Sequence, residues 1–383
     1  MKILIIHNEY ATYSGEESVV DNTIKLLKEK GHEVQLFKRS SNEINKNFVG
    51  LFKAFFCSFY NYSSINKIKN KIKTFNPNII HVHNLYPLIS PSILPVISKM
   101  NIPIVMTVHN YRLICPNGMF FNKMKICEKC SGGKEWNCLL NNCASSYFKS
   151  FSYFLRNYYA RKKEFYSHID KYICLTNFQL KKLIENGFDK DKLTVIHNFY
   201  QNNNAEFKRK KFGNYIAFVG RITEEKGINI LFESAKLLPK IPFKLAGDYD
   251  KKLLLKKDIP KNVTFLGRIK GQELISFYEN ARFLVFPSIW YEGFPMVLIE
   301  AMSYKLPIIA TNIGGISEIV DDGLTGLLFE YMNINDLTEK IIRLWEDPEL
   351  CIEYGENGYQ KYIKLYNIEN NYSTLLKLYN SFI

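Results

Sequence analysis

Two carboxylates eight positions apart, Glu292 and Glu300, lie in the run Trp290-Tyr291-Glu292-Gly293-Phe294-Pro295-Met296-Val297-Leu298-Ile299-Glu300. A carboxylate accepts two hydroxyl hydrogen bonds at once, which suits such a pair to recognition of polyols. Proline is tolerated in the first turn of a helix, where its missing N–H costs nothing. Pro295 therefore predicts a helix start, with Glu292 on the loop before it and Glu300 more than a turn inside. The two acids should then serve different groups, one suited to a hexose and the other to a ribose.

Two cations stand five positions apart in Gly220-Arg221-Ile222-Thr223-Glu224-Glu225-Lys226-Gly227, directly after the apolar run Tyr215-Ile216-Ala217-Phe218-Val219. A forked guanidinium and a mobile ammonium in a strand-to-helix connection can clamp a diphosphate, helped by free amides at the helix start. The plain alternative is two solvated charges beside Glu224 and Glu225. A further glycine turn, Gly314-Gly315-Ile316-Ser317-Glu318, follows another apolar strand and lets amides approach an anion with no Cβ in the way. Its alternative is a simple tight turn. Cysteines form a second cluster, Cys115, Cys127, Cys130, Cys138 and Cys143. A Cys-x-x-Cys with outlying thiols has the spacing of a structural zinc site, against the alternative of free thiols.

The elements that must hold these residues follow from periodicity. The first segment reads as a βαβ opening: a strand at Ile3-Leu4-Ile5-Ile6, a glycine turn at Gly15 close to the strand ends, a helix over 16–30 and a strand at 33–37. Ser14 and Glu17 have capping-box spacing. Short β-branched runs at 79–83, 104–109, 172–175 and 194–196 continue a parallel sheet covered on both faces. The polar run 201–211 reads as a linker, after which the pattern restarts with strands near 215–220, 243–247, 263–267, 283–286 and 307–310. The 383 residues thus divide into domains over 1–200, with a cysteine-rich insertion at 115–143, and 212–360. A carboxyl-terminal helix over 361–383 is placed back on the first domain. Ligands of such sheets gather at the carboxyl ends of the strands, which puts the substrate in a cleft between facing domains.

The net charge of +14 implies an anionic partner, either nucleic acid, phospholipid or a phosphorylated substrate. Basic residues interleave with aromatics over 48–73, including Leu51-Phe52-Lys53-Ala54-Phe55-Phe56, and over 147–163; such mixtures suit a membrane interface or the outer faces of packed helices. The longest uncharged stretch, 74–98, carries four prolines and does not read as a spanning helix. The first apolar run is too short for a signal peptide. A cytoplasmic protein is expected, at the inner face of the cell membrane if the basic aromatic stretches meet lipid.

Taken together, Arg221 with Lys226, Glu292 with Glu300 and the Gly-Gly-x-x-Glu at 314–318 resemble glycosyltransferase family 4, retaining enzymes of the GT-B fold. The resemblance spans nearly the whole chain and is strongest over 218–329. It implies an α/β architecture of two Rossmann-like domains and transfer of a hexose from a UDP- or GDP-sugar to a glycan or lipid-linked glycan, in cell-surface polysaccharide synthesis. On that resemblance Arg221 and Lys226 hold the diphosphate, Glu292 reads the sugar, Glu300 reads the ribose, and backbone near Gly293, Phe294, Met296 and Val297 completes the donor pocket with Gly15 and Gly315. His109 resembles the histidine that faces the donor sugar, with His81 and His83 as competitors.

No metal is implied for catalysis. Two fixed cations and helix amides would stabilise the departing diphosphate, with a phosphate oxygen as the proton acceptor. Relatives with a similar cysteine segment suggest Cys115, Cys127, Cys130 and Cys143 as zinc ligands. The chain departs from the family pattern at Ser14, Phe199 and Tyr249. A sugar-nucleotide epimerase of the same architecture is the alternative, and dispersed charge without a recognition motif argues against nucleic acid as a partner.

Overall fold

Ile3, Leu4, Ile5 and Ile6 are completely buried, as a strand covered on both faces must be. They form the middle of β1 (Lys2–Glu9), in a sheet with β2 (Glu33–Ser40), β3 (Ile79–Asn84), β4 (Ile104–Val108), β5 (Lys171–Cys174) and β6 (Leu193–Val195). The computed structural model describes residues 1–11, 13–44, 48–202, 213–249 and 258–383. The expected linker at 201–211 lies, beyond residue 202, outside the described residues. So do the side chains of residues 48, 49 and 51–53 in the first basic aromatic stretch.

The chain divides into two compact units. The first comprises Met1–Asn122, Cys127–Asn198 and Asn371–Ile383. Its strands are all parallel, in the order β2-β1-β3-β4-β5-β6. The order reverses beside β1, so β1 and β3 flank the crevice where such sheets bind ligands, at their carboxyl ends. The register between them breaks there: Ile6 pairs with Val82 but His7 with Asn84, which leaves His83 as an extra residue in a bulge.

The helix Gly15–Glu29 buries Val19, Val20, Thr23, Leu26 and Leu27 at helical spacing, and the Ser14/Glu17 capping box closes its start. The last helix, Ile368–Asn380, carries Leu375 and Tyr379 into the same core as Ile3, Ile5, Val20 and Leu27. Its Tyr372 hydroxyl meets His32 Nε2 at 2.9 Å and its Tyr379 hydroxyl meets His81 Nδ1 at 2.6 Å.

The second unit contains Lys123–Ile126 and Phe199–Asn370. Its strands are β7 (Ile216–Val219), β8 (Phe243–Ala246), β9 (Val263–Gly267), β10 (Phe283–Phe286), β11 (Ile308–Thr311) and β12 (Gly326–Phe329), all parallel, in the order β9-β8-β7-β10-β11-β12. The reversal lies between β7 and β10. Phe218, Phe232, Phe243, Phe283 and Phe329 are almost wholly buried, each contributing roughly 2–3 kcal/mol by removal from water.

At this reversal two connections come into contact. Gly227 has φ 76°, and a Cβ built there would lie 1.8 Å from the carbonyl oxygen of Pro287. Only glycine satisfies both demands. We expect Gly227→Ala to lose more than about 3 kcal/mol of stability, read from the urea midpoint, through positive-φ strain and forced separation of the loops. Stability equal to the parent would show that the loops part freely.

Candidate functional site

In the carboxyl-terminal unit the sequence-predicted residues Lys226 and Glu292 meet. Lys226 ends the short 3-10 turn Glu224–Lys226 after β7, and Glu292 lies on the loop after β10. The loop is stitched to the turn by the Ile289 amide, which donates to the Glu225 carbonyl at 3.0 Å. Three donors then converge on one oxygen, Glu292 Oε1: Lys226 Nζ at 2.6 Å, Ser288 Oγ at 2.7 Å and Trp290 Nε1 at 2.8 Å. The ammonium also lies 5.5 Å and 5.6 Å from the ring centres of Phe286 and Trp290. Both charged side chains are largely withdrawn from water, so each compensates the other's desolvation.

Arg221 is not drawn into this cluster. Its guanidinium is mostly exposed and lies 3.3 Å from Glu225. Pro295 stands at the N-cap of the helix Met296–Ser303 rather than in its first turn, and no side chain caps that start. Helix starts leave amides without intrahelical partners, which here are those near Met296 and Val297. Gly293 precedes them, and Phe294 is buried with its ring 5.8 Å from that of Tyr366.

Glu300, inside the helix, accepts from the Tyr278 hydroxyl at 2.9 Å. Burial raises the Glu300 carboxyl above its ordinary range, against the lowering effect of that hydrogen bond. Gly315 precedes the four-residue helix Ile316–Ile319, and the Ser317 hydroxyl donates to the Gly314 carbonyl at 3.1 Å. Of the family departures, Phe199 is buried, and Tyr249 bridges Ile222 and packs its ring 5.4 Å from that of Phe265.

The amino-terminal unit gathers its own cluster at the ends of β1, β3 and β4. His81 and His83, on one face of β3, stack at 4.3 Å, and His83 stacks on His109 at 5.1 Å. His83 Nδ1 and His109 Nε2 share a hydrogen bond of 2.8 Å, while His81 Nε2 meets Thr107 Oγ1 at 2.7 Å. Burial holds His81 at about 3 and His83 well below the usual histidine range. Burial, reinforced by His7 and His81, likewise holds His109 at about 3. His109 is therefore a neutral hydrogen-bonding ring at physiological pH rather than an acid.

Two acids at the start of the first helix, Glu17 read from its capping-box spacing and Glu16 given no role in the sequence, behave oppositely. Burial works against the Glu17 carboxylate, but the neighbouring His7 ring, the Ser14 hydroxyl and the Tyr10 and Ser14 amides outweigh it and hold Glu17 at about 2. Burial pushes Glu16 up to about 7, with His7 and Arg112 pulling the other way. The capping-box spacing was a signal: it commits Glu17 to the helix and leaves its neighbour spare. A Cβ on Gly15 would meet nothing within 4 Å, so neighbouring packing does not require glycine there.

The cysteine expectation needs correction. Among the described residues no group of three or more His, Cys, Asp or Glu side chains is arranged to hold a metal ion, so zinc at Cys115, Cys127, Cys130 and Cys143 is not supported. All are thiols rather than disulfides, with Cys115 beside Cys130 and Cys138 beside Cys143. Cys115 also donates to Asn117 Oδ1 at 2.9 Å. Contact with Cys115 first, then burial, raises the Cys130 thiol, and contact with Cys143 first, then burial, raises the Cys138 thiol.

Residues 13–201 match the model described as Glycosyltransferase Family 4, and residues 199–361 match that of Glycosyl transferases group 1. An uncharacterized glycosyltransferase of Methanocaldococcus jannaschii is 30% identical over 387 residues, covering 99% of this chain and 98% of that protein. The chain belongs to glycosyltransferase family 4. Another relative of this glycosyltransferase is the capsular polysaccharide biosynthesis glycosyltransferase CapM of Staphylococcus aureus, 27% identical over 266 residues, 61% of this chain and 67% of that one. Anabaena HepE in complex with UDP and glucose superposes with a TM-score of 0.65 at 15% identity, covering 100% of both chains. The two parallel-sheet Rossmann-like units are those of the GT-B fold. No helix among the described residues of the glycosyltransferase is long and apolar enough to cross a membrane.

The raised Glu16 carboxyl gives this glycosyltransferase a signature in stability. From about 4.5, its ordinary value, to about 7, the folded protein binds the Glu16 proton more tightly than the unfolded chain does. This residue's contribution to stability therefore falls as pH rises through that window. Glu16→Gln cannot ionise, so urea unfolding should find it equal to the parent near pH 4 and more stable by up to about 3 kcal/mol at pH 8. Stability curves that stay parallel across the window would show that the carboxyl is solvated.

Proposed function

We propose that the chain is a retaining hexosyltransferase that takes its sugar from a nucleotide donor, a UDP-sugar by the likeness to UDP-bound HepE, and adds it to a glycan of a cell-surface polysaccharide. The observation that carries this reading is the buried contact between Lys226 and Glu292 at the sheet reversal. One ammonium there can bind a diphosphate oxygen while it orients the carboxylate that reads the sugar. Arg221 supplies the second cation, the amides near Gly293, Phe294, Met296 and Val297 receive phosphate oxygens, and Gly315 lets a further amide approach.

Glu300 reads the ribose from within its helix. Gly15 and the neutral His109 are assigned to the donor, His109 as a hydrogen-bond partner of a sugar hydroxyl. In the reaction the anomeric carbon–oxygen bond to the diphosphate breaks as the acceptor hydroxyl arrives on the same face, and a phosphate oxygen takes the hydroxyl proton. Developing charge on the leaving group is met by fixed cations and amides, without a requirement for a metal. Family membership supports transfer over epimerisation, which would convert donor without any acceptor.

The acceptor is proposed to be lipid-linked, met at an anionic membrane surface. The helix Tyr147–Lys162 exposes Tyr147, Phe148 and Phe151 beside Lys149, and the Phe148 ring packs 5.8 Å from that of Phe55. Exposed aromatics flanked by lysines suit a lipid interface. Co-sedimentation with phosphatidylglycerol vesicles should be strong, weak with phosphatidylcholine alone, and lost in a Tyr147→Glu/Phe148→Glu variant. Equal binding to both vesicles would remove the membrane from the account.

Lys226→Ala and Glu292→Ala should each lower transfer from a UDP-hexose by at least about a thousandfold, with the far-ultraviolet circular dichroism of the parent. Proton NMR of the product should show the donor's anomeric configuration, and EDTA should leave the parent's rate unchanged. Near-normal turnover in either variant, or an inverted product, would defeat the assignment.

A further inference from the structure

The crevice at the end of β1 and β3 contains polar atoms that the fold leaves unused. His7 is 2% exposed and His83 4% exposed. Among the described residues, both ring nitrogens of His7, Nε2 of His83 and Oε1 of Glu16 are buried without a hydrogen-bond partner. They are close together: Glu16 Oε1 lies 3.9 Å from His7 Nδ1 and Glu17 Oε1 3.8 Å from His7 Nε2, both beyond hydrogen-bond distance, and the His7 and His83 rings meet edge to face at 6.3 Å. An unpaired buried polar group costs about 1–3 kcal/mol, so three such side chains from three elements are a standing expense of the apo fold.

Glu16 is nevertheless held in place. Its other oxygen accepts from the Tyr10 hydroxyl at 3.1 Å, and the Arg112 guanidinium lies 5.9 Å from the Tyr10 ring centre. Glu17 already completes the capping box, so the helix start does not need its neighbour. The chemistry of what would satisfy these atoms is restrictive. A neutral imidazole offers one donor and one acceptor, and a carboxylate only acceptors, so the crevice requires a partner that both donates and accepts. Glu16 in its ionised form would repel an anion, and the described residues form no metal-holding group. Hydroxyls, each both donor and acceptor, meet the requirement.

We propose that Glu16, His7 and His83 form a subsite for hydroxyls of the acceptor glycan, with Glu16 selecting which sugar enters. The subsite rests on the transferase reading above, yet its residues are separate from those assigned to the nucleotide.

The test uses the full-length protein with methyl α-glucoside, methyl α-mannoside and methyl α-galactoside as probes, followed by ligand-observed NMR, with UDP affinity measured by calorimetry alongside. At least one glycoside should bind the parent protein and weaken about tenfold or more in Glu16→Ala and Glu16→Gln, while UDP affinity stays constant. Glu16→Gln keeps the side-chain shape should the alanine variant unfold. Binding of no glycoside to the parent, or equal glycoside affinity in parent and Gln variant, overturns the subsite. So does a crystal structure grown with the glycosides in which a lone water bridges His7 and Glu16. UDP separates the two ideas: failure of the parent to bind UDP overturns the donor assignment, whereas intact UDP binding with unchanged glycoside affinity overturns this subsite.

Discussion

The carboxyl-terminal unit depends on one close approach, that of residue 227 to the carbonyl of Pro287. The turn after β7 and the loop after β10 can touch there because Gly227 places no atom between them. Everything charged in the region follows from that contact. It lets the Ile289 amide reach the Glu225 carbonyl, fixes the loop on which Ser288, Trp290 and Glu292 ride, and sets Lys226 Nζ 2.6 Å from Glu292. A methyl group at 227 would have to push the loops apart, and a buried carboxylate without its ammonium carries the full desolvation cost. The ion pair is thus a consequence of backbone proximity, not its cause.

The two units treat buried polar groups in opposite ways. In the second, Glu292 Oε1 alone receives an ammonium, a hydroxyl and an indole N–H. In the first, His7 and one oxygen of Glu16 lie buried without a partner among the described residues. Adjacent residues make the contrast sharpest. Glu17 is drawn below its ordinary range by the hydrogen bonds of a capping box, whereas burial pushes Glu16 above it. Local helix chemistry, with His7 and the Tyr10 amide beside it, explains the first acid and leaves the second unexplained. A chain under selection for stability alone would place an apolar or fully hydrated residue at 16.

Much of this was legible from residue types and spacing, and the exceptions have physical causes. Alternating apolar runs gave the two sheets, because a strand buried on both faces has little choice but β-branched and aromatic residues. Glu292 on a loop and Glu300 within a helix followed from one proline, although Pro295 caps the helix rather than entering it. Ser288 and Trp290 escaped notice because an irregular loop has no period from which side-chain direction can be read. The cysteines are less legible for a related reason: Cys-x-x-Cys fixes two thiols along the chain but not where Cys115 and Cys138 fold, and Cys115 lies beside Cys130 and Cys138 beside Cys143. The bulge that makes His83 an extra residue has no sequence signature at all.

The histidines narrow where positive charge can come from. His81, His83 and His109 form a buried stack, and the value of about 3 for His81 and His109 leaves no appreciable imidazolium near neutral pH. The stack can orient hydroxyls but cannot offset the charge of a phosphate. Lys226 is a cation, yet its charge is already balanced by Glu292 across 2.6 Å. Arg221 differs: its partner Glu225 is 3.3 Å away and its own side chain is 60% exposed, a geometry in which an ion pair contributes little. An arriving anion therefore displaces a weak contact at Arg221 but must share a strong one at Lys226. In the proposed donor site, capture of charge falls first to the arginine and alignment against Glu292 to the lysine, a division that follows from burial.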